Sequence, residues 1–259
     1  MEVLKKGSVG DAVRALQRAL GITADGIFGR ETEKAVKVWQ AEHGLVSDGI
    51  VGSKTWEALQ VNADDIGIIP AYISTHITKA KRQVKYIAVH YTAGGSSKAG
   101  SAKAVRNVFL NRKASADFVV DDHEIVQINP NLSGYYCWAV GDKRNPFGGG
   151  GTYYGMATNK NTISIEICSN LKKGYSAEYP NHEGWYFTEA SLRNATKLVR
   201  WLLKRFGLSK TAVIRHYDVS GKLCPGIVGW NDGMIYSATG KQTSEHSNSN
   251  EWRKFWAQI

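Results

Sequence analysis

After Asp11, a residue suited to an N-cap, Val13, Leu16, Gln17 and Leu20 recur at the three- and four-residue intervals of one helix face. The same spacing returns at Ala35, Val38 and Trp39. Around the second helix lies a duplication: ADGIFGRETEKAVKVWQ, from Ala24, is echoed by SDGIVGSKTWEALQ, from Ser47. Each copy places Asp-Gly, one or two apolar residues and a further Gly ahead of a helix with Thr32 or Thr55 near its start. Asp followed by Gly supplies a tight turn, because Gly tolerates backbone angles that side chains disfavour. The pattern predicts three short helices joined by turns, an all-α unit over residues 1–61. Trp39 and Trp56 read as core aromatics of this unit in preference to exposed ligand-binding ones. Over 62–70 the helical period is lost and the stretch ends at Pro70, which marks a short linker. It is not Gly/Ser-rich, which argues against widely independent domains.

Residues 71–259 alternate strand and helix signals. KYIAVHYT (85–92) is a β-branched and aromatic run followed by Gly94 and Gly95, and SAKAVRNVFLNR (101–112) carries Ala104, Val105, Val108 and Phe109 at helical spacing. DFVVDD and EIVQIN flank His123 as a hairpin, and TISIEICS (162–169) alternates as a strand. Thr188 opens a long amphipathic helix through Leu192, Leu198, Val199, Leu202, Leu203 and Phe206, stopped by Gly207. AVIRHY (212–217) is a further strand, ending at His216. Residues 231–250, rich in Ser, Thr, Asn and Gly, read as a surface excursion before a last helix with Trp252, Phe255 and Trp256. Gly148 to Gly151 lack the Lys and Ser/Thr of a phosphate loop and mark a mobile loop. This order predicts an α/β fold of the α+β kind, a mixed sheet with helices packed on it.

Composition narrows the class. An apolar share of 42%, with eight Trp and twelve Tyr, supplies buried cores and excludes a disordered chain. No run approaches the about eighteen apolar residues of a membrane span, so no stable membrane insertion is expected. The N-terminal MEVLKKGSVGDAV also lacks the apolar core of a signal peptide. The net charge of +10 is uneven: residues 1–60 hold eight basic and eight acidic residues, so the excess lies in the remainder. A basic body suits an anionic partner. Nucleic acid is disfavoured as that partner, since no such motif and no long Lys/Arg cluster is present.

Cys137, Cys168 and Cys224 are odd in number and irregularly spaced, which is no disulfide framework. Each is a candidate metal ligand or nucleophile. His90 ends the 85–92 strand on the face of Tyr86 and Ala88. With His216, and Cys224 eight residues on through DVSGKLCPG, it makes a candidate set of three ligands. Three protein ligands and an open fourth position are the arrangement of catalytic zinc. Spacing alone leaves Cys137 and Cys168 in competition, and a structural histidine at a strand end is common. Glu166 shares a strand face with Ser164 and Cys168, opposite Ile163, Ile165 and Ile167, and points either to solvent or into a site. His43, His76, His123, His182 and His246 show no partner pattern and receive no role.

Whole motif strings say more. From Gly7 to Leu59, GxxGxxVxxLQxxLG, DGxFGxxTxxAVxxWQ and GLxxDGxVGxxTWxAL resemble the peptidoglycan-binding domain carried by many wall hydrolases. From about Ile68 to Ile259, VHYTAG, ISIEICS and RHYDVSGKLCPG resemble the zinc N-acetylmuramoyl-L-alanine amidases of the phage lysozyme and peptidoglycan-recognition type. That resemblance implies zinc on His90, His216 and Cys224, with Glu166 acting near the metal and Lys222 stabilising the reacting oxyanion. CWAVGD resembles the loop beside the substrate groove, which makes Trp138 a candidate lining residue, with core packing as the alternative. A sister branch has a catalytic Tyr where SADFVV here has Ala116, so no Tyr is carried over. The resemblance implies a peptidoglycan hydrolase cutting the muramoyl–L-alanine amide, and the basic second half suits anionic wall polymers as a further partner. Its alternatives are a non-catalytic recognition protein and a zinc peptidase acting within the stem peptide. With no leader peptide in view, the expectation is an endolysin made in the host cytoplasm and released through a phage pore.

Overall fold

Helices α1 (Asp11–Ala19), α2 (Arg30–Glu42) and α3 (Ser53–Leu59) build the first of two units, Met1–Ile68 and Ile69–Ile259. The computed structural model describes residues 2–59, 66–141, 144 and 150–259. Leu4, Val13, Leu16, Phe28, Val36, Val51 and Trp56 form the core of the first unit. Trp56 is buried as expected and donates Nε1–H to the Glu2 carbonyl at 2.9 Å. Two expectations shift here. Gly10 is the N-cap of α1 and Asp11 its first residue. On α2 the buried face is Thr32, Val36 and Gln40, whereas Val38 is 50% exposed and Trp39 stacks on His43 at 3.8 Å.

The cause of that rotation is the repeat itself. Gln17 donates from Nε2 to Asp25 Oδ1, the Ile27 carbonyl and Thr32 Oγ1, and its Oε1 accepts from the Gly26 N–H. Gln40 does the same one copy later, with Asp48 Oδ1, the Ile50 carbonyl, Thr55 Oγ1 and the Gly49 N–H. Each buried amide thus satisfies a turn that offers both donors and acceptors, which is why Asp-Gly and Thr recur together. The positive φ of Gly26 (82°) and Gly49 (75°) explains the Gly in each turn.

The second unit is a six-stranded sheet in the order β1-β5-β4-β7-β3-β10. These strands are β1 (Ile68–Pro70), β3 (Tyr86–Tyr91), β4 (Phe118–Val120), β5 (Ile125–Gln127), β7 (Thr162–Ile167) and β10 (Val213–Arg215). Part of the expected linker is therefore sheet: residues 68–70 are strand β1, and 62–65 lie outside the described residues. β4, β7, β3 and β10 run parallel, and β4 with β5 forms the expected antiparallel hairpin. Its turn is held by Asp121, whose Oδ1 accepts from the N–H groups of His123 and Glu124. Parallel strands are covered on both faces, so Ser164 and Cys168 are as buried as the Ile residues opposite them.

One cover is α4 (Ser101–Asn111), whose Ala102 and Phe109 pack with Val119, Val126 and Cys168. Ala104 and Val108 point to solvent instead of inward as expected. The other cover is α5 (Glu189–Phe206), capped by the Thr188 side chain and ended by Gly207 in the left-handed region. Its Trp201 meets Phe118 edge-on, on the face opposite Val119. Smaller ribbons pair β2 (Ile77–Lys79) with β6 (Tyr135–Cys137), β8 (Asn170–Leu171) with β9 (Trp185–Tyr186), and β11 (Met234–Tyr236) with β12 (Gln242–His246). Two short helices, α6 (His216–Ser220) and α7 (Asn250–Ala257), follow β10 and close the chain.

The glycine run is a close approach, not simply a mobile loop. A Cβ on Gly150 would collide with the Tyr217 carbonyl, and the Gly151 N–H donates to that same oxygen at 3.0 Å. Gly148 and Gly149 lie outside the described residues. Nor is 231–250 only a surface excursion: Asn231, Ser247 and Ser249 are buried.

Candidate metal centre and cleft

Parallel register places the chemistry in a row. His90 of β3 is the partner of Glu166 of β7, so the two side chains share a face at the C-terminal ends of adjacent strands. On the other side of β3, Arg215 of β10 pairs with Val89, which sets the next residue, His216, level with His90. His216 does not end the strand as expected; it begins α6. The chain then turns at Gly221 (φ 80°) and returns Cys224, whose carbonyl accepts from the Tyr217 N–H at 2.8 Å. Strand ends of this kind are where open α/β sheets carry their ligands.

The donor atoms of His90, His216 and Cys224 lie within 4.8 Å of one another, and all three residues are buried. Cys224 Sγ stands 3.7 Å from His90 Nδ1, and the two imidazole rings are 4.6 Å apart. Tetrahedral zinc with bonds of about 2.0–2.3 Å separates its ligand atoms by roughly 3.4–3.7 Å. The donor set fits that ion, and the Cys224–His90 separation falls in its range. Cys137 and Cys168 are excluded from the cluster. Both are buried elsewhere with their thiols pushed far up by burial, and Cys168 belongs to the apolar core under α4.

Glu166 is half-buried beside this cluster, and its Oε2 is out of solvent with no hydrogen-bond partner among the described residues. Burial raises the carboxyl to about 8, against the opposing pull of the Lys222 and Arg112 cations. The exposed Lys222, two residues before Cys224, lines the same cleft, which measures about 970 Å³. Trp138 lines it too. At 39% exposed it is no core residue, and its Nε1–H donates to Thr78 Oγ1 at 2.9 Å. Ala116 is wholly buried, so that position presents no side chain to the cleft.

Several contributors were not read from the sequence. Arg112, Lys113 and Tyr91 line the cleft, and burial beside Cys224 and Glu166 pushes the Tyr91 hydroxyl up. A cation just past a helix end carries no local pattern that would announce it. The ligand loop is also braced from the C-terminal segment. Arg215 grips Asp218 through Nε and Nη2, and its Nη1 donates to the Trp230 carbonyl at 3.1 Å and to Ser249 Oγ at 2.6 Å. Asn231 donates to the Pro225 carbonyl and to Asn181 Oδ1, both at 2.9 Å. The residues next to His216 and Cys224 are therefore both tied to 230–249.

Comparison with known proteins agrees with this geometry. Residues 80–227 match the family described as N-acetylmuramoyl-L-alanine amidase, and residues 7–59 match the putative peptidoglycan binding domain. The amidase CwlL of Bacillus licheniformis is 33% identical over 147 residues, covering 55% of this chain and 36% of the relative. The chain thus spans little more than a third of the length of that curated relative. The structure of the catalytic domain of XlyA is 26% identical with a TM-score of 0.51, over 75% of this chain and 99% of that one. A mutant endolysin from Bacillus subtilis is likewise 26% identical, with a TM-score of 0.50 over 74% of this chain and 97% of that one. By the span of its match and the strands that carry it, this chain belongs to the N-acetylmuramoyl-L-alanine amidase family.

Proposed function

We propose that this protein is a zinc-dependent cell-wall hydrolase that cleaves the amide between N-acetylmuramic acid and L-alanine of peptidoglycan. The observation that carries this reading is the cluster of His90, His216 and Cys224 with Glu166 in register beside His90, where His90, Glu166, Cys224 and Lys222 line one cleft. His90, His216 and Cys224 would hold the metal. Zinc, when bound, supplies Lewis acidity, bringing the pKa of a coordinated water to about 7 and polarising a carbonyl.

The remaining work falls to the chain's own groups. Glu166 Oε2 receives the proton of the attacking water and returns it to the departing alanine nitrogen. The Lys222 ammonium faces the lactyl carbonyl oxygen as it gains charge, a contribution of about 3 kcal/mol for a well-placed donor. Trp138 offers an exposed ring as one wall of the substrate groove. The unit at residues 7–59 holds the enzyme on peptidoglycan, and the basic excess beyond residue 60 adds attraction to anionic wall polymers.

Digestion of purified peptidoglycan tests this. The expected result is new L-alanine amino termini with intact glycan strands, abolished in Glu166→Ala and Cys224→Ser. New termini within the stem peptide would instead mark a peptidase. Binding with no new termini at all would mark a recognition protein.

A further inference from the structure

Arg112 differs from Arg82, Arg106 and Arg215 of the second unit. Arg82 is buried in a network with Asp117, Arg215 is locked to Asp218, and Arg106 reaches backbone carbonyls. The Arg112 guanidinium lines the cleft with no hydrogen bond or ion pair among the described residues. Its backbone is nonetheless fixed at the end of α4, donating to the Val108 carbonyl at 3.1 Å and accepting from the Ala114 N–H at 2.6 Å. Lys113 follows on the same wall, and Lys222 lines the cleft as well. Against these three cations the lining carboxylates among the described residues are Glu178 and Glu166, the latter already under the pull of Lys222 and Arg112.

A planar guanidinium with free N–H edges matches a carboxylate in bidentate fashion. The peptide joined to muramic acid through L-alanine continues with an acidic residue. At about 3.5 Å per extended residue, its carboxylate lies roughly 7 Å from the scissile carbon. A cleft of about 970 Å³ accommodates that span. We propose that Arg112 binds the free α-carboxylate of the second stem residue, so that the enzyme favours stems with that carboxylate free over stems in which it is amidated. This rests on the amidase reading above and adds a specificity residue to it.

The test compares kcat and KM of the full chain on two soluble muropeptides that differ only in amidation at the second residue. Wild type is expected to favour the free carboxylate by about ten- to a hundredfold in kcat/KM, mostly through KM, the range of one charge-assisted pair. Arg112→Gln should bring the ratio near one, and Arg112→Lys should restore part of it. Lys113→Ala should move it little. An unchanged ratio in Arg112→Gln, or an equal loss on both substrates, overturns the proposal. So does a wild type with no preference on soluble muropeptides whose Arg112→Gln variant weakens only on walls bearing phosphate polymers. That outcome assigns Arg112 to the polymer. If wild type cleaves neither muropeptide nor intact wall, the amidase reading itself fails.

Discussion

Buried polar groups are handled differently in the two units. Gln17 and Gln40 are each 1% exposed, and every polar atom of their amides meets a turn that needs it. Glu166 is held just as firmly by its strand, yet its Oε2 has no hydrogen-bond partner among the described residues and its carboxyl sits far above the ordinary range. The first arrangement stabilises a fold, because a satisfied buried amide costs little and rigidifies its loop. The second carries a stability cost at a point where three potential metal ligands converge. A buried polar side chain alone thus says little about function. What separates the two cases is whether the structure answers it.

Breaking the cleft should produce the largest effects. Glu166→Ala is expected to lower kcat on peptidoglycan by about 10²–10⁴-fold with zinc still bound, measured by metal content alongside turnover. Cys224→Ser should purify with little zinc, while pull-down on insoluble wall by residues 7–59 persists. Asn231→Ala, which frees the Pro225 carbonyl beside Cys224, should weaken zinc by about tenfold or more in chelator competition, with the far-ultraviolet dichroism unchanged.

Effects in the N-terminal unit should be smaller and of another kind. Gln17→Ala or Gln40→Ala leaves a buried Gly N–H and a carbonyl unanswered. Each should cost about 1–3 kcal/mol in denaturant unfolding of that unit, with no change in hydrolysis of soluble muropeptides. The smallest expected effect sharpens the contrast by changing sign. Glu166 holds its proton to about pH 8 when folded but releases it near 4.5 when unfolded, so the metal-free protein loses stability as pH rises between those values. Glu166→Gln should therefore raise the Tm of the metal-free protein above pH 8 and leave it unchanged below pH 4.5. An unchanged Tm above pH 8 would contradict that cost.

Much of this was legible in the residues. The duplication around Asp25 and Asp48 and the helix from Thr188 to Gly207 follow from turn chemistry and periodicity, both local properties. The buried face of α2 was misread because Ala35, Val38 and Trp39 are apolar, while the residues turned inward include two polar ones, Thr32 and Gln40. Periodicity registers apolar side chains and is blind to an amide drawn inside by a turn eight residues away. In the cleft, His90, His216 and Cys224 were named from motif strings. Their convergence depends on the pairing of β3 with β10, far apart in sequence, and on the loop after α6, which no local pattern contains. Arg112 and the Asn231 brace were invisible for the same reason, since their roles exist only across the fold.

Hydrolysis in water enriched in oxygen-18 tests the central claim most directly. Attack at the lactyl carbonyl predicts one heavy oxygen in the muramic acid carboxylate and an unlabelled peptide that begins with free L-alanine. Label in a carboxylate of the stem peptide, or on the glycan, would contradict it.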